Sequence, residues 1–310
     1  MPNLILHHFD ISPFSEKARL VLGFKGLAWQ SVQVPKILPK PDVVALTGGY
    51  RRTPFLQIGA DVYCDTALMC RVIDARAPNP PLYPTESRAL SETFAQWADS
   101  ALFWSAIPFT MQPAGAVHVM KGETPEFLEA IRADRAAMTA GMRRATTADA
   151  TVALHTYLAR IEALLGDGRA FLFGAQAGIA DFSTAQSVWF MHLAPPIAAA
   201  LQPYPRLNAW YARVVAFGHG QRSEITGADA IAAARATSTH AACAVEEGLG
   251  FEPGAVVTVS ATDYATDAVP GTLVGLSRDE VVIERRDDRA GLLHVHFPRI
   301  GFQIRKEKSA

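Results

Sequence analysis

The first 75 residues of this 310-residue chain alternate short apolar runs with helical patterns. Apolar runs bounded by turn residues predict four strands, at residues 4–6, 32–34, 50–58 and 62–64. Apolar side chains at helical spacing predict three helices, at residues 17–24, 41–46 and 65–75. The resulting order is βαβ, then a helix, then ββα. This order predicts an α/β domain at the start of the chain.

Ser12 and Pro13 lie where the first strand turns into the first helix. Ser12 is predicted to be the N-cap, and Pro13 the first helical residue, where its missing N–H is not needed. The start of a helix exposes unpaired N–H groups and the positive end of the helix dipole, so it favours an anion such as a thiolate. Ser12 therefore has two interpretations: it only caps its helix, or its hydroxyl also contacts a bound anion.

Two later dipeptides also allow a local and a ligand-binding interpretation. Pro54, after Thr53, stands near the start of a strand, where a trans proline at a sheet edge is the ordinary case. Asp65 and Thr66 follow a strand and can simply cap the next helix. The same helix start can also accept a ligand carboxylate on its N–H groups while Asp65 pairs with an ammonium group.

Taken together, Ser12-Pro13-Phe14, Thr53-Pro54 and Asp65-Thr66 resemble the N-terminal domain of a glutathione transferase, a thioredoxin-fold module. The resemblance covers residues 2–83 and is nearest to the serine-type, tau/omega-like motif. It implies that Ser12 is the catalytic residue and that Pro54 is cis. It also implies that the backbone of Thr53 holds the cysteinyl part of glutathione.

The same resemblance implies the rest of the glutathione site. Asp65 and Thr66 would hold the γ-glutamyl end, although the family more often has Glu-Ser at this point. Phe14 belongs to the binding motif, and Lys40 and Arg52 would face the glycine carboxylate. Arg52, with Arg51 before it, can equally form a solvated surface pair.

A proline-rich linker over 78–84 separates this domain from an all-α helical domain, expected over 86–236. Helical spacing predicts its helices at residues 87–104, 124–144, 147–165, 180–193 and 205–217. Phe103, Trp104 and Phe109 would form the pocket for an apolar co-substrate, with ordinary core packing as the alternative. The resemblance places Asp99 where the family can contact glutathione across a dimer interface, but a surface carboxylate is the expected interpretation. Asp181, three residues after Gly178, resembles the family's capping box, with a role in folding only.

Residues 250–310 form a small all-β C-terminal domain of unknown role in this prediction, with four or five strands in a barrel. The fold class is therefore an α/β thioredoxin-like N-terminal domain plus an all-α domain, followed by this strand-rich part. His294 and His296 would share one strand face, a spacing that can serve a metal. No third ligand is evident, so no metal is predicted.

Composition limits the function classes. The net charge is −1 with 49% hydrophobic residues, so bulk charge does not favour nucleic acid or an anionic membrane as a partner. No apolar run is long enough to span a bilayer, and the first residues lack the basic start of a secretory signal. Three cysteines without a zinc spacing are expected to stay reduced, which favours a cytoplasmic location.

The predicted function is a glutathione transferase in which the Ser12 hydroxyl stabilises the glutathione thiolate for attack on a small hydrophobic electrophile. A free thiol has a pKa of about 8.5, so a shift of two units needs about 2.7 kcal/mol. The resemblance implies a homodimer with glutathione as co-substrate. Two alternatives stay open: a non-catalytic glutathione-binding or interaction protein on the same fold, or a glutathione-dependent isomerase or dehalogenase.

Overall fold

The computed structural model describes residues 3–307. Its ten strands are β1 (Ile5–His8), β2 (Ala28–Gln33), β3 (Phe55–Ile58), β4 (Asp61–Cys64), β5 (Gln221–Glu224), β6 (Val256–Ala261), β7 (Val269–Leu276), β8 (Glu280–Asp287), β9 (Gly291–Pro298) and β10 (Phe302–Lys306). Its helices are α1 (Pro13–Phe24), α2 (Pro41–Thr47), α3 (Thr66–Arg76), α4 (Arg88–Trp97), α5 (Phe103–Thr110), α6 (Pro113–Val119), α7 (Pro125–Met138), α8 (Thr147–Leu164), α9 (Ile179–His192), α10 (Pro195–Ala198), α11 (Pro205–Val215) and α12 (Gly227–Arg235).

The N-terminal domain is a thioredoxin-like α/β module, as predicted. β1 is parallel to β2 and antiparallel to β3, and β4 is antiparallel to β3. Successive side chains of a strand point to opposite faces, and this alternation divides the core in two. Leu6 packs with α1 and the helical domain, whereas Ile5 packs with α2, α12 and the C-terminal strands.

The second domain is all-helical, also as predicted, and is built around α9. This helix is buried along almost its whole length and contacts α1, α4, α5 and α11. Its start is held by the buried Asp181 carboxylate, which accepts hydrogen bonds from the N–H groups of Leu172 and Gly178 and from Trp210 Nε1. Asp181 thus ties three segments together, so its structural role does not need a hydroxyl at Gly178.

The C-terminal strands extend the sheet of the first domain. The strand order is β10-β6-β7-β8-β9-β4-β3-β1-β2-β5, with β9 parallel to β4. β6 to β10 form a five-strand ladder with β9 and β10 as its two outermost strands, yet only residues 299–301 join these two strands. So short a link requires the ladder to curl, because neighbouring strands lie about 4.8 Å apart. This region is strand-rich as predicted, but it pairs with the thioredoxin sheet.

Several boundaries differ from the sequence-based expectation. Residues 221–235, expected in the helical domain, form β5 and α12 and fold back on the first domain, where β5 pairs with β2 and α12 packs on α2. The helix predicted over 124–144 ends at Met138, and α6 and α10 were not predicted. A search of the described residues for a helix long and apolar enough to cross a membrane finds none.

Candidate functional site

A cavity of about 700 Å³ lies where the three parts of the chain meet. Its walls come from α1, the turn before β3, the start of α3, the α4 region, and loops of the C-terminal strands. Six of the predicted glutathione-site residues line it: Phe14, Arg52, Thr53, Pro54, Asp65 and Thr66. The fold therefore brings residues from three separate segments, all named by the resemblance, into one wall.

The turn before β3 carries Thr53 and Pro54 to the cavity, and the peptide bond between them is cis. A cis X-Pro bond occurs in only about 5% of cases in folded proteins. The ordinary interpretation, a trans proline at a sheet edge, is therefore wrong. Pro54 precedes a strand in the interior of the sheet, between β4 and β1.

The start of α3 has the geometry of an anion-binding helix terminus. Asp65 is the N-cap, and its Oδ1 accepts a hydrogen bond of 2.9 Å from the N–H of Ala67. Its φ of 73° lies in the left-handed region, which is uncommon for a residue other than glycine. The capping interpretation is confirmed, and the carboxylate also lies in the cavity wall beside the first N–H groups of the helix.

Lys17 is a buried cation in the same wall, and the sequence analysis did not single it out. Its Nζ donates to Asp99 Oδ2 at 2.6 Å and to the Thr66 hydroxyl at 3.2 Å. Burial opposes the charged form, but the Asp99 carboxylate together with Cys70 and Asp65 raises the pKa of Lys17. The pair therefore holds the start of α3 against α1 and the helical domain.

The expectation that Asp99 is a surface carboxylate is wrong. Its side chain is only 19% exposed, and it also accepts hydrogen bonds from Ser183 and Gln186 of α9. Asp99 lies in a π-helical turn, Ala98–Leu102, that joins α4 to α5. Such turns are common at functional sites because the extra residue redirects side chains.

A loop of the C-terminal strands reaches the cavity through Asp263 and Tyr264. The Arg52 guanidinium donates to the Asp263 carboxylate and to the Tyr264 carbonyl, and it stacks on the Tyr264 ring at 3.8 Å. The interpretation of Arg52 as a solvated surface residue is wrong, since only 8% of it is exposed. An incoming carboxylate would have to share this cation with Asp263.

Ser12 and Lys40 are both buried and are not among the residues that line the cavity. Ser12 is 4% exposed, and its Oγ accepts a hydrogen bond of 3.2 Å from the N–H of Ser15, so its capping role is confirmed. Lys40 donates to the Thr53 hydroxyl and to the Arg51 carbonyl. Burial and the nearby Arg135 charge lower the pKa of Lys40 to about 8. Contact of either side chain with a ligand stays a prediction.

The aromatic residues predicted as a substrate pocket separate into two places. Phe103 packs on Phe14 of α1 with ring centroids 4.6 Å apart, and Trp104 packs edge-on against Tyr264 at 5.3 Å. Phe109 instead packs against His155 of α8. None of the three lines the cavity. Phe103 and Trp104 thus form an aromatic link from α1 to the C-terminal loop.

The residues that sequence analysis missed fall into two kinds. Lys17 had a detectable signal, because it is a lone cation among the apolar residues of a predicted buried helix. Asp263 and Tyr264 had none, because they reach Arg52 across more than 200 residues of chain.

The fold and the cavity define a class of protein: a thioredoxin-like domain followed by an all-helical domain, with a ligand cleft beside a cis-proline turn. The glutathione S-transferase N-terminal domain family matches residues 6–81, and the glutathione S-transferase C-terminal domain family matches residues 126–213. The chain belongs to the glutathione S-transferase family.

Relatives differ in how much of the chain they share. A crystal structure of a GST-like protein from Pseudomonas syringae is 40% identical, covers 99% of this chain and 100% of its own, and has a TM-score of 0.80. FtsZ-localized protein A of Caulobacter vibrioides is 27% identical over 58% of this chain and 73% of its own length. A glutathione S-transferase from Rhodospirillum rubrum, at 21% identity over 68% of this chain and 87% of its own, shares the fold with a TM-score of 0.52. The C-terminal strands are thus shared with the first of these.

Proposed function

We propose that this protein binds glutathione in the 700 Å³ cavity and activates its thiol for conjugation to a small apolar electrophile. The observation that carries the proposal is the meeting of the cis Thr53–Pro54 turn and the Asp65-capped start of α3 in one wall. The turn offers backbone groups to a peptide. The helix start offers N–H groups to a carboxylate.

The charges of the wall match a zwitterionic tripeptide. In the proposed pose the γ-glutamyl ammonium group pairs with Asp65. The carboxylate of the same γ-glutamyl residue accepts hydrogen bonds from the Thr66 hydroxyl and the first N–H groups of α3. The cysteinyl backbone contacts Thr53. The glycine carboxylate faces Arg52, while Lys40 donates a hydrogen bond to the Thr53 hydroxyl.

Thiol activation is assigned to Ser12. Its oxygen accepts from the Ser15 N–H, which leaves the hydroxyl hydrogen to donate to sulfur. This hydrogen bond and the positive end of α1 together have the size needed to lower a thiol pKa from about 8.5 towards neutrality. Ser12 acts as a donor, so no partner base is required.

The test is turnover with glutathione and a panel of aryl halides, epoxides and enones. Ser12→Ala should lower kcat/KM by about 100-fold, the equivalent of two pKa units, with KM for glutathione nearly unchanged. Ser15→Ala is the matched control, because the Ser15 hydroxyl is buried one turn further into the helix. Equal loss in the Ser15 variant, or full activity without the Ser12 hydroxyl, would reject the assignment.

A second candidate function is glutathione binding without conjugation. It is favoured by the absence of Ser12 from the cavity lining and by the contact of Tyr264 with both Arg52 and Trp104. The relation to a protein named for its localisation with FtsZ is compatible with such a role. Saturable glutathione binding with no turnover on any electrophile would select this candidate. The homodimer implied by resemblance stays a prediction.

A further inference from the structure

Three side chains from distant segments converge where the C-terminal strands join the thioredoxin sheet. The parallel pairing of β4 with β9 sets Asp61 opposite His294. His240, in the connector that follows α12, stacks on the His294 ring with centroids 3.8 Å apart. One ligand atom from each of these three residues lies within 4.8 Å of the other two. The sequence pattern indicated His294 and His296 only. Asp61 and His240 were not recognised, because they lie outside β9.

The nitrogens that face Asp61 have no hydrogen-bond partner among the described residues. His240 Nδ1 and His294 Nδ1 are both buried from solvent and lie 3.6 Å and 3.9 Å from Asp61 Oδ1. An N–H donor would be expected to approach a carboxylate to about 2.8 Å. A nitrogen lone pair facing a carboxylate oxygen would be repelled by it. A cation between the three atoms would satisfy all of them.

We propose that Asp61, His240 and His294 bind a divalent metal ion of the zinc type. Two imidazole nitrogens and one carboxylate oxygen are ordinary zinc donors, with bonds of about 2.0–2.1 Å. Ligand atoms of a tetrahedral site with such bonds lie about 3.3 Å apart. The separations from Asp61 Oδ1 exceed this by about 0.3 Å for His240 Nδ1 and about 0.6 Å for His294 Nδ1. Because the two rings lie stacked, they would also have to tilt for both nitrogens to face one ion. A water molecule would take the fourth position.

Outer contacts hold the ligands in place. His296 Nε2 donates to Asp61 Oδ1 at 2.9 Å, and the N–H of Ala241 donates to Asp61 Oδ2 at 3.0 Å. His294 Nε2 lies 3.6 Å from a carboxylate oxygen of Glu284, on the side of the ring away from Asp61. Histidine ligands commonly have such a carboxylate behind them. A cavity of about 490 Å³ has His240 in its wall.

The position of the site indicates what the metal does. Its ligands belong to β4, to the connector after α12 and to β9, so an ion would link the C-terminal strands to the thioredoxin sheet. The site is separate from the proposed glutathione cavity, whose lining contains none of the three ligands. The proposal therefore stands whether or not the protein conjugates glutathione.

The test uses the full chain without an affinity tag, stripped of metal with a chelator. Titration with Co²⁺ should produce the visible absorption of a tetrahedral cobalt site at one ion per chain, and Zn²⁺ should displace it. Zn²⁺ should also raise the Tm of the stripped protein. His240→Ala should weaken binding at least about tenfold, whereas His118→Ala, at an exposed residue of α6, should leave it unchanged.

Asp61→Asn is a second variant that removes the charge, and its single carboxamide oxygen keeps one of the two hydrogen bonds that Asp61 accepts from His296 and Ala241. It should also weaken Co²⁺ binding at least about tenfold. The proposal is overturned if the stripped wild-type chain binds neither ion at one per chain. It is equally overturned if folded His240→Ala and Asp61→Asn bind both ions as tightly as the wild type does.

Discussion

Individual polar residues in the interior connect separate segments of this molecule. Asp181, Lys17 and Arg52 are buried and Asp99 is half-buried, and each is bonded to at least one distant segment of the chain. A buried charge is costly to leave without its partners. Substitutions at these residues should therefore affect stability much more than their chemical size suggests.

Asp181→Ala should lower the free energy of unfolding by about 3 kcal/mol, because it leaves two backbone N–H groups and the Trp210 indole without acceptors. Urea unfolding followed by circular dichroism measures this. The matched control is Asp229→Ala, which removes the same capping position from the exposed box at the start of α12. A loss at Asp229 as large as that at Asp181 would contradict the argument from burial.

Lys17→Met should also destabilise the fold, by about 3 kcal/mol, because it leaves the enclosed Asp99 without its cation. Adding Asp99→Asn to this variant should recover part of the loss, since the unpaired charge is then gone. The measurement is a double-mutant cycle, which compares the free energies of unfolding of the wild type, both single variants and the double variant. Strict additivity would show that the two side chains do not interact.

Element-scale prediction from the sequence succeeded where the signal was local. The order of strands and helices over residues 4–76 follows from hydrophobic spacing and from Pro and Ser at helix starts, and the structure has the same order. The pairing of β9 with β4 and of β5 with β2 was not predictable in this way. β5 is a short run of four exposed polar residues, so it lacks the apolar alternation by which strands are recognised.

The same limit applied to the site. The cis-proline turn and the start of α3 were found from local motifs that resemble a known family. The loop with Asp263 and Tyr264 was not found, because no local pattern in a surface loop specifies which distant arginine it will contact. Sequence reasoning thus located the wall formed by the first domain and missed the wall formed by the C-terminal strands.

The loop with Asp263 and Tyr264 should affect how tightly the cavity binds glutathione. Asp263→Asn removes a carboxylate that competes for Arg52, so glutathione should bind roughly threefold more tightly, as expected for a partly exposed ion pair. Asp267→Asn, in the same loop and exposed, is the control. Isothermal titration calorimetry on the three proteins measures the effect. Weaker binding by the Asp263 variant would show that the carboxylate supports the site instead of competing with it.

At the scale of the whole molecule, two adjacent histidines of β1 connect stability to pH. Burial lowers the pKa of His7 to about 4, and burial together with the Arg19 charge lowers the pKa of His8 to about 3. In the unfolded chain both should titrate near 6.5. Below that pH the unfolded chain binds protons that the folded chain does not, so acid favours unfolding.

The free energy of unfolding should therefore fall between pH 6.5 and about pH 4, by up to about 1.4 kcal/mol per pH unit for each histidine. His7→Asn should make this slope shallower. Phe55→Leu removes the ring that stacks on His7 but no titrating group, so it should destabilise without changing the slope. Unfolding by urea at a series of pH values measures all three proteins. An unchanged slope in His7→Asn would refute the assignment.

The most direct test of the account is calorimetric titration with glutathione and with an analogue that lacks the γ-glutamyl amino group. Asp65→Asn keeps a side-chain oxygen to cap α3 but removes the charge assigned to the ammonium group. We predict that the wild type binds glutathione about tenfold more tightly than Asp65→Asn does, and that the two proteins bind the analogue equally. No saturable binding by the wild type, or equal glutathione affinity in both proteins, would contradict the proposed site.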